Sequence, residues 1–179
     1  YDASGGGMTL SGGEPLFQPE FSLALLAEAK ARRLHTVLDT SGHARWETLE
    51  AMLPFVDLVF YDIKHMDPDA HERLTGATNR LVLANARKLL DLHVPLALRI
   101  PVIPTCNDDA ANFEAMARFF QGARNVEYAE LLPYHRLGES KWERMGLQYA
   151  LSGLEAPSRE RLEELAAPLR QAGIAVRFG

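Results

Sequence analysis

The chain has 179 residues, of which 47% are hydrophobic and 24% charged, and its formal net charge is −5 at pH 7. These values describe an ordinary globular protein, and the acidic balance argues against a broad nucleic-acid-binding surface. No run approaches the roughly 18 apolar residues of a membrane span, so no membrane partner is expected. The single cysteine, Cys106, excludes an internal disulfide framework and fits the reducing cytoplasm.

The hydrophobic pattern alternates between strand and helix along the chain. In chain order it predicts a strand over 8–11, a helix over 19–34, a strand over 35–40, a helix over 45–56, a strand over 57–64, helices over 69–76 and 80–93, a strand over 95–103, a helix over 108–123, a strand over 126–135, a helix over 158–173 and a strand over 175–178. Phe21, Leu25 and Ala29 are expected to form the apolar face of the first helix. Asp108 or Asp109 is expected to cap the fifth helix.

Strands and helices that alternate at this spacing indicate an α/β fold with a parallel sheet and crossover helices. The strand cores are continuous apolar runs, as is typical of a sheet covered on both faces. Five or six units are too few for a closed eight-fold barrel, and they fit a partial barrel or a doubly wound sheet. We expect a single domain over residues 1–179. Because the chain opens directly on a strand, we also expect that its first βα unit is missing.

The stretch GGGMTLSGGEP, residues 5–15, closes its strand with Ser11, Gly12, Gly13 and Glu14. Glycines leave backbone groups open to close approach, and Glu14 adds a negative acceptor beside them. Such an edge suits an ammonium group better than a phosphate. The lysine of a phosphate loop and the last glycine of the dinucleotide fingerprint are both absent. A glycine-rich tight turn without a ligand is the alternative.

The later strands also end in polar residues, namely Asp39, Asp62 with Lys64, Arg99 and His135. Parallel strands bring their carboxyl ends to one rim, so these side chains are expected to converge. Two carboxylates beside one lysine suit a bound cation, or an amino-acid ligand whose carboxylate Lys64 holds. Arg99 suits a carboxylate or ribose clamp. Buried ion pairs with no further role are the alternative.

The remaining histidines and the cysteine predict no metal site. The segment HERLT, residues 71–75, places Thr75 where the H-E-x-x-H motif needs its second histidine. Cys106 has no histidine next to it in the sequence, so a structural or incidental thiol is expected.

Five stretches together resemble the glycyl-radical-enzyme activating enzymes, which are radical S-adenosylmethionine proteins of the pyruvate formate-lyase activating type. They are GGGMTLSGGEP, LDTSGH, DLVFYDIK, LRIPVIP and ELLPYHRLGESKWERMG. The resemblance implies a partial parallel (β/α)6-type barrel. It also implies an anaerobic oxidoreductase that cleaves S-adenosylmethionine reductively with a [4Fe–4S] cluster. The implied partners are a glycyl radical enzyme and an electron donor of the flavodoxin or ferredoxin type.

The same resemblance implies roles for individual residues. Those expected to bind the cofactor are Ser11, Gly12, Gly13, Glu14, Asp39, Lys64, Arg99 and His135. The first four would lie at the methionine amino group, Asp39 and Lys64 would surround its carboxylate together with Asp62, and the last two would lie along the ribose and adenosine. A monovalent cation is expected near Asp39 and Asp62. The segment YHRLGESKW, residues 134–142, would receive the partner's glycine loop.

One departure from the family is severe. Its cluster is held by a C-x3-C-x2-C motif upstream of the glycine–glutamate strand, and Cys106 cannot replace that motif. We therefore expect the cluster ligands in a missing N-terminal segment, no catalytic residue in this chain, and an inactive fragment. The alternatives are a non-catalytic relative that binds S-adenosylmethionine or a partner, and an unrelated aldolase-like or phosphate-binding barrel. In a complete chain, Glu14→Ala or Lys64→Ala is expected to weaken cofactor binding and leave the fold largely intact.

Overall fold

The computed structural model describes residues 6–135, 151 and 153–179. Six strands form one sheet in the order of the chain, and every neighbouring pair is parallel. The strands are β1 (Gly7–Leu10), β2 (His35–Thr40), β3 (Leu58–Asp62), β4 (Leu96–Val102), β5 (Val126–Pro133) and β6 (Val176–Phe178). In the described part of the chain β1 and β6 do not pair, so the sheet is open. The predicted parallel α/β sheet is confirmed, and its open form is consistent with a partial barrel.

Helices connect the strands, as a parallel sheet requires. They are α1 (Pro19–Ala31), α2 (Trp46–Glu50), α3 (Pro68–Thr75), α4 (Arg80–Asp91), α5 (Ala110–Phe120) and α6 (Arg159–Gln171). Two 3-10 turns, Pro15–Phe17 and Leu53–Phe55, complete the described elements. None of the helices in these residues is long and apolar enough to cross a membrane.

Short polar side chains cap the first turns of three helices. They accept hydrogen bonds from backbone N–H groups that have no partner within the helix. Asp67 accepts from the N–H of Ala70 at the start of α3, and Ser158 accepts from the N–H of Arg161 at the start of α6. At α5 the cap is Asp109, which accepts from the N–H of Asn112 at 2.9 Å. Asp108 instead accepts from the N–H of Thr105 in the preceding turn. Of the two predicted caps, Asp109 is therefore confirmed.

Of the predicted apolar face of α1, Ala29 is confirmed as buried, whereas Phe21 is wrong and Leu25 is only partly buried. Phe21 is 61% exposed and Leu25 only partly buried, whereas Ser22, Leu26 and Ala29 face the core. The reason lies at the helix start, where the Ser22 hydroxyl donates to the carbonyl of Pro15 at 2.7 Å. That bond turns position 22 inward, and position 21 consequently points to solvent.

The helix predicted over 45–56 is also shorter in the structure. It ends at Glu50 and gives way to the 3-10 turn that contains Pro54. Proline has no N–H and disfavours a helical residue before it, so the regular helix cannot run through this position.

The strand register places charged residues side by side at the carboxyl end of the sheet. Asp62 on β3 lies opposite Arg99 on β4, and Arg99 lies opposite Glu130 on β5. On β2, Asp39 is one residue from the end and lies opposite Phe60 of β3. The strand centres below them are apolar and fully buried, Leu38, Val59 and Leu98 among them. The sheet therefore buries its middle and presents its charges at one rim.

Candidate functional site

A cleft of about 570 Å³ opens at the carboxyl ends of β1 to β5. Its volume lies within the roughly 300–1,000 Å³ of typical small-molecule and cofactor sites. Eight of the residues predicted for the site line it, namely Ser11, Gly12, Gly13, Glu14, Asp39, Asp62, Lys64 and Arg99. His135 does not line this cleft. It lines an adjoining cavity of about 740 Å³ that shares Arg99, Pro101 and Leu132 with the cleft.

The glycine pair gives the cleft a bare backbone wall. Gly12 and Gly13 have φ angles of +89° and +45°, a region that other residues rarely adopt. A Cβ on either residue would meet no protein atom within 4 Å. The glycines are thus required by backbone conformation, and the space beside them is open to a ligand.

Both carboxylate oxygens of Glu14 accept hydrogen bonds from nearby residues of the chain. Its Oε1 accepts from the hydroxyl of Thr40 at 2.6 Å and from the N–H of Leu16 at 3.2 Å. Its Oε2 accepts from the N–H and the hydroxyl of Ser41 at 2.9 and 2.6 Å. The carboxylate therefore joins the loop after β1 to the loop after β2 and fixes the position of the glycine wall. A contact between Glu14 and a ligand ammonium stays a prediction.

Asp39 and Arg99 form a second fixed pair in the cleft. Asp39 Oδ2 accepts from the Ser11 hydroxyl at 2.7 Å and from Nη1 of Arg99 at 2.9 Å. The Nε of Arg99 lies 3.5 Å from Glu130 Oε2, yet it is buried without a directed hydrogen bond among the described residues. A buried donor left in that state costs free energy. Arg99 is thus held between two carboxylates, by a hydrogen bond to Asp39 and a longer ion pair with Glu130.

Asp62 and Lys64 lie close together, with Oδ2 and Nζ 3.4 Å apart, although the strand predicted over 57–64 ends at Asp62 and Lys64 lies in the loop after it. Burial raises the pKa of the Asp62 carboxyl above its ordinary value, and Asp39 adds to the increase, while Lys64 opposes it. The folded state therefore binds this proton more tightly than the unfolded state, so the buried charge destabilises the fold at neutral pH.

Asp62→Asn should accordingly raise the free energy of unfolding at pH 7. The gain should shrink as the pH falls through the raised pKa towards 3.8, because wild-type Asp62 then becomes neutral as well. Urea unfolding of both proteins across this pH range measures the difference. If the difference in free energy of unfolding between the two proteins did not change with pH, the raised pKa of Asp62 would be contradicted.

Three buried asparagines hold the loop that carries Lys64. Asn107, 1% exposed, donates from Nδ2 to the carbonyls of Lys64 and Pro101 at 2.9 and 2.6 Å. Asn79 donates to the carbonyls of His65 and Met66, and Asn112 accepts from the N–H of Met66. None of the three was predicted for the site. They set the backbone from which the Lys64 side chain reaches the cleft.

The described residues contain no group of three or more histidine, cysteine or acidic side chains that could hold a metal ion. Cys106 is a free, partly buried thiol in the loop after β4. One thiol does not fit the cysteine set of an iron–sulfur cluster. The predicted partner surface over 134–142 lies outside the described residues except for Tyr134 and His135.

Comparison with known proteins identifies the family. The profile described as the Radical SAM superfamily matches residues 2–119, well over half of the chain. The chain belongs to the radical SAM superfamily. This excludes the unrelated aldolase-like or phosphate-binding barrel, and it agrees with the open parallel sheet and with a cleft at the carboxyl ends of its strands.

Two relatives of the chain are activating enzymes. The chain is 43% identical over 169 residues to a pyruvate formate-lyase-activating enzyme of Staphylococcus aureus, an alignment covering 91% of this chain and 67% of the relative. It is also 43% identical over 171 residues to the isethionate sulfite-lyase activating enzyme of Nitratidesulfovibrio vulgaris, covering 93% of this chain and 55% of that protein. This radical SAM chain thus spans about half the length of the second relative and two thirds of the first.

A similar solved structure also belongs to an activating enzyme, as do the two relatives. The crystal structure of a domain of pyruvate-formate lyase-activating enzyme from Bacteroides vulgatus superposes with a TM-score of 0.82 at 30% identity, covering 97% of this chain and 99% of that domain. The resemblance to the glycyl-radical-enzyme activating enzymes that the motifs indicated is therefore confirmed.

Proposed function

We propose that this chain is the S-adenosylmethionine-binding core of an activating enzyme that generates a glycyl radical on a partner enzyme, pyruvate formate-lyase or a relative of it. The observation that carries the proposal is the convergence of eight predicted residues in one cleft. The names of the relatives support the reaction class. In this family a [4Fe–4S] cluster and S-adenosylmethionine supply the radical that takes a hydrogen atom from glycine.

The chain's own residues would bind and orient the cofactor. The open backbone at Gly12 and Gly13 offers carbonyl groups to the methionine ammonium, and the fixed negative charge of Glu14 favours it. Lys64 would pair with the methionine carboxylate, because its side chain is 36% exposed and lies in the cleft. Arg99, which lines the cleft, would serve the ribose, and His135 the adenosine side.

A monovalent cation between Asp39 and Asp62 remains part of the proposal. Burial is the main cause of the raised pKa of Asp62, and repulsion from Asp39 adds to it, so a cation bound between the two carboxylates would stabilise the charged form of Asp62. Cluster ligands outside these 179 residues also remain part of it, because one cysteine cannot supply three thiolates. The chain by itself would then bind the cofactor without cleaving it. The electron donor of the flavodoxin or ferredoxin type is proposed on the same basis.

Calorimetric titration of S-adenosylmethionine tests the central claim. Lys64→Ala should weaken binding at least tenfold, which corresponds to about 1.4 kcal/mol. Lys30→Ala is the matched control, because Lys30 has the same 36% side-chain exposure and also pairs with an aspartate, Asp57, away from the cleft. Equal losses in the two variants, or no loss in Lys64→Ala, would refute the role of Lys64.

A non-catalytic relative that binds S-adenosylmethionine is the second candidate, because none of the predicted cofactor-binding residues in the cleft is a cluster ligand. The two candidates differ in whether the protein ever holds a cluster. Anaerobic reconstitution with iron and sulfide separates them if it is applied to the chain and to a version extended upstream in its source DNA. Cluster absorbance in the extended version alone supports the activating enzyme. Its absence from both, with S-adenosylmethionine binding intact, supports the binding relative.

A further inference from the structure

A smaller cavity of about 200 Å³ adjoins the cofactor cleft on the side of α3 and α4. The two share part of one wall, formed by Glu14, Phe17, Ser41, Asp62 and Lys64. The far wall contains His71, Thr75 and Ala77. A group seated in the smaller cavity would therefore lie next to whatever occupies the cleft. Nothing in the roles assigned above uses this cavity.

Most of the far wall belongs to the HERLT segment, residues 71–75, whose spacing does not match the metal motif. Hydrogen bonds hold its side chains in place. His71 is only 6% exposed, and its Nδ1 lies 2.7 Å from the carbonyl oxygen of Ala77. A carbonyl oxygen accepts hydrogen bonds and cannot donate them, so Nδ1 carries the hydrogen. The Thr75 hydroxyl, 2.8 Å from the His71 carbonyl, ties the same turn together.

This arrangement fixes the other ring nitrogen as an acceptor. In the neutral imidazole the lone pair then resides on Nε2. The hydrogen bonds of His71 among the described residues are all made by Nδ1 or by its backbone. A buried histidine that lines a cavity with a free acceptor nitrogen suits a ligand with a neutral N–H donor.

The rest of the cavity narrows the class of ligand. Its volume is below the roughly 300 Å³ at which small-molecule sites begin, and it fits a short stretch of main chain better than a second cofactor. Phe17 lines both cavities and is 76% exposed, so it offers apolar surface at the point where they join. Backbone N–H groups alternating with side chains are what an extended peptide presents.

We propose that this cavity receives an extended segment of the partner protein next to the glycine that is to react, with a backbone N–H donating to His71 Nε2 and an apolar side chain against Phe17. The inference rests on the proposed function, because a segment bound here would lie beside the cofactor in the adjoining cleft. It assigns His71 to substrate binding and gives it no part in holding the cofactor.

Two substitutions distinguish the role of Nδ1 of His71 from that of Nε2, because each replaces the ring by an amide at the position of one nitrogen. Asn places its amide near the Nδ1 position, so His71→Asn keeps a donor for Ala77 and removes the acceptor at Nε2. Gln reaches the Nε2 position, so His71→Gln keeps an acceptor for the ligand and loses the bond to Ala77. Glu72→Gln, a change at an exposed position on the same helix, serves as the control.

The probe is a short peptide centred on the radical-bearing glycine of a pyruvate formate-lyase, titrated calorimetrically into the full chain with S-adenosylmethionine in excess. His71→Asn should weaken peptide binding about fivefold to tenfold, the effect of one neutral hydrogen bond, while S-adenosylmethionine binds as in the wild type. His71→Gln should recover most of the peptide affinity, and Glu72→Gln should not change it.

Two results overturn the inference and leave the proposed function standing. One is peptide affinity that is equal in wild type and His71→Asn, and the other is a wild-type chain that binds S-adenosylmethionine and no peptide. Failure of the wild type to bind S-adenosylmethionine would instead refute the proposed function, and this inference with it.

Discussion

Replacing Gly42 by alanine is expected to lower the free energy of unfolding by about 3 kcal/mol or more. Gly42 has a φ of +67°, which costs an alanine about 1–2 kcal/mol. The added Cβ would also lie 1.9 Å from the Tyr61 hydroxyl oxygen and 2.3 Å from its Cζ. Overpacking of that kind adds about 1–3 kcal/mol.

Neither side of this contact can move easily. Tyr61 is fully buried, and its hydroxyl donates to the carbonyl of Val82 at 2.7 Å. The Gly42 carbonyl accepts from Nδ2 of Asn85 at 2.8 Å, and the same amide group donates to Ala44. The loop after β2 therefore packs closely against Tyr61 of β3 and is hydrogen-bonded to Asn85 of α4. Because Ser41 belongs to that loop, a shift at Gly42 should also disturb the bonds to Glu14.

Gly76→Ala is the matched control for Gly42→Ala. Gly76 has a φ of +81°, and a Cβ there would meet no atom within 4 Å, so only the backbone cost remains. Thermal and urea unfolding should show a loss of about 1–2 kcal/mol for Gly76→Ala and a clearly larger loss for Gly42→Ala. If the two losses were equal, the packing of Gly42 on Tyr61 would not contribute to stability.

The rim of the sheet is the part of the site that the sequence predicts well. Parallel strands deliver their carboxyl ends to one edge, so polar residues at successive strand ends must meet there. Asp39, Asp62, Lys64 and Arg99 follow that rule. Their placement needs only the strand boundaries, which apolar runs indicate clearly.

The hydrogen bonds by which buried asparagines hold the loops around the cleft could not be predicted in the same way. Asn79, Asn85 and Asn107 are each about 2% exposed or less, although asparagine is usually a surface residue. Their six partners are backbone carbonyls, of which five are 13 to 43 residues away in the sequence and one is 6 residues away. No local pattern encodes such contacts. The one sequence signal is an asparagine in a turn segment, as at Asn79 and Asn107, which also fits ordinary loops.

The orientation of α1 was missed for a related reason. Periodicity identifies an apolar stripe, but not which residue of the first turn is drawn inward by a side-chain hydrogen bond to the segment before the helix. The Ser22 hydroxyl decides this through the carbonyl of Pro15, a contact across a 3-10 turn that hydrophobicity does not report. Phe21 then remains at the surface, on the helix that follows the exposed Phe17.

Glu14→Ala is expected to reduce both stability and cofactor binding, unlike Lys64→Ala, which should reduce binding alone. Removing the carboxylate leaves four donors without their acceptor, from Leu16, Thr40 and Ser41. Thr40 is 3% exposed, so water cannot readily replace its partner. We expect a loss of about 2–4 kcal/mol in the free energy of unfolding. The four bonds thus argue against the sequence-based expectation that the fold stays largely intact.

The effect on binding follows from the same bonds. Without them the glycine wall after β1 is no longer tied to the loop after β2, so S-adenosylmethionine affinity should fall at least tenfold. Glu14→Gln should not rescue it, because an amide supplies one acceptor oxygen where both carboxylate oxygens face donors.

A double-mutant cycle with Ser41→Ala identifies the source of the stability loss. If Glu14 acts by tying the two loops, Glu14→Ala and Ser41→Ala should couple by about 1 kcal/mol in urea unfolding without any ligand. Glu14→Ala and Lys64→Ala should not couple, since Lys64 makes no bond to Glu14 among the contacts of the described residues. Additive losses for the Glu14 and Ser41 changes, with affinity still reduced, would mean that Glu14 acts on the ligand ammonium directly and that the loop contact is incidental.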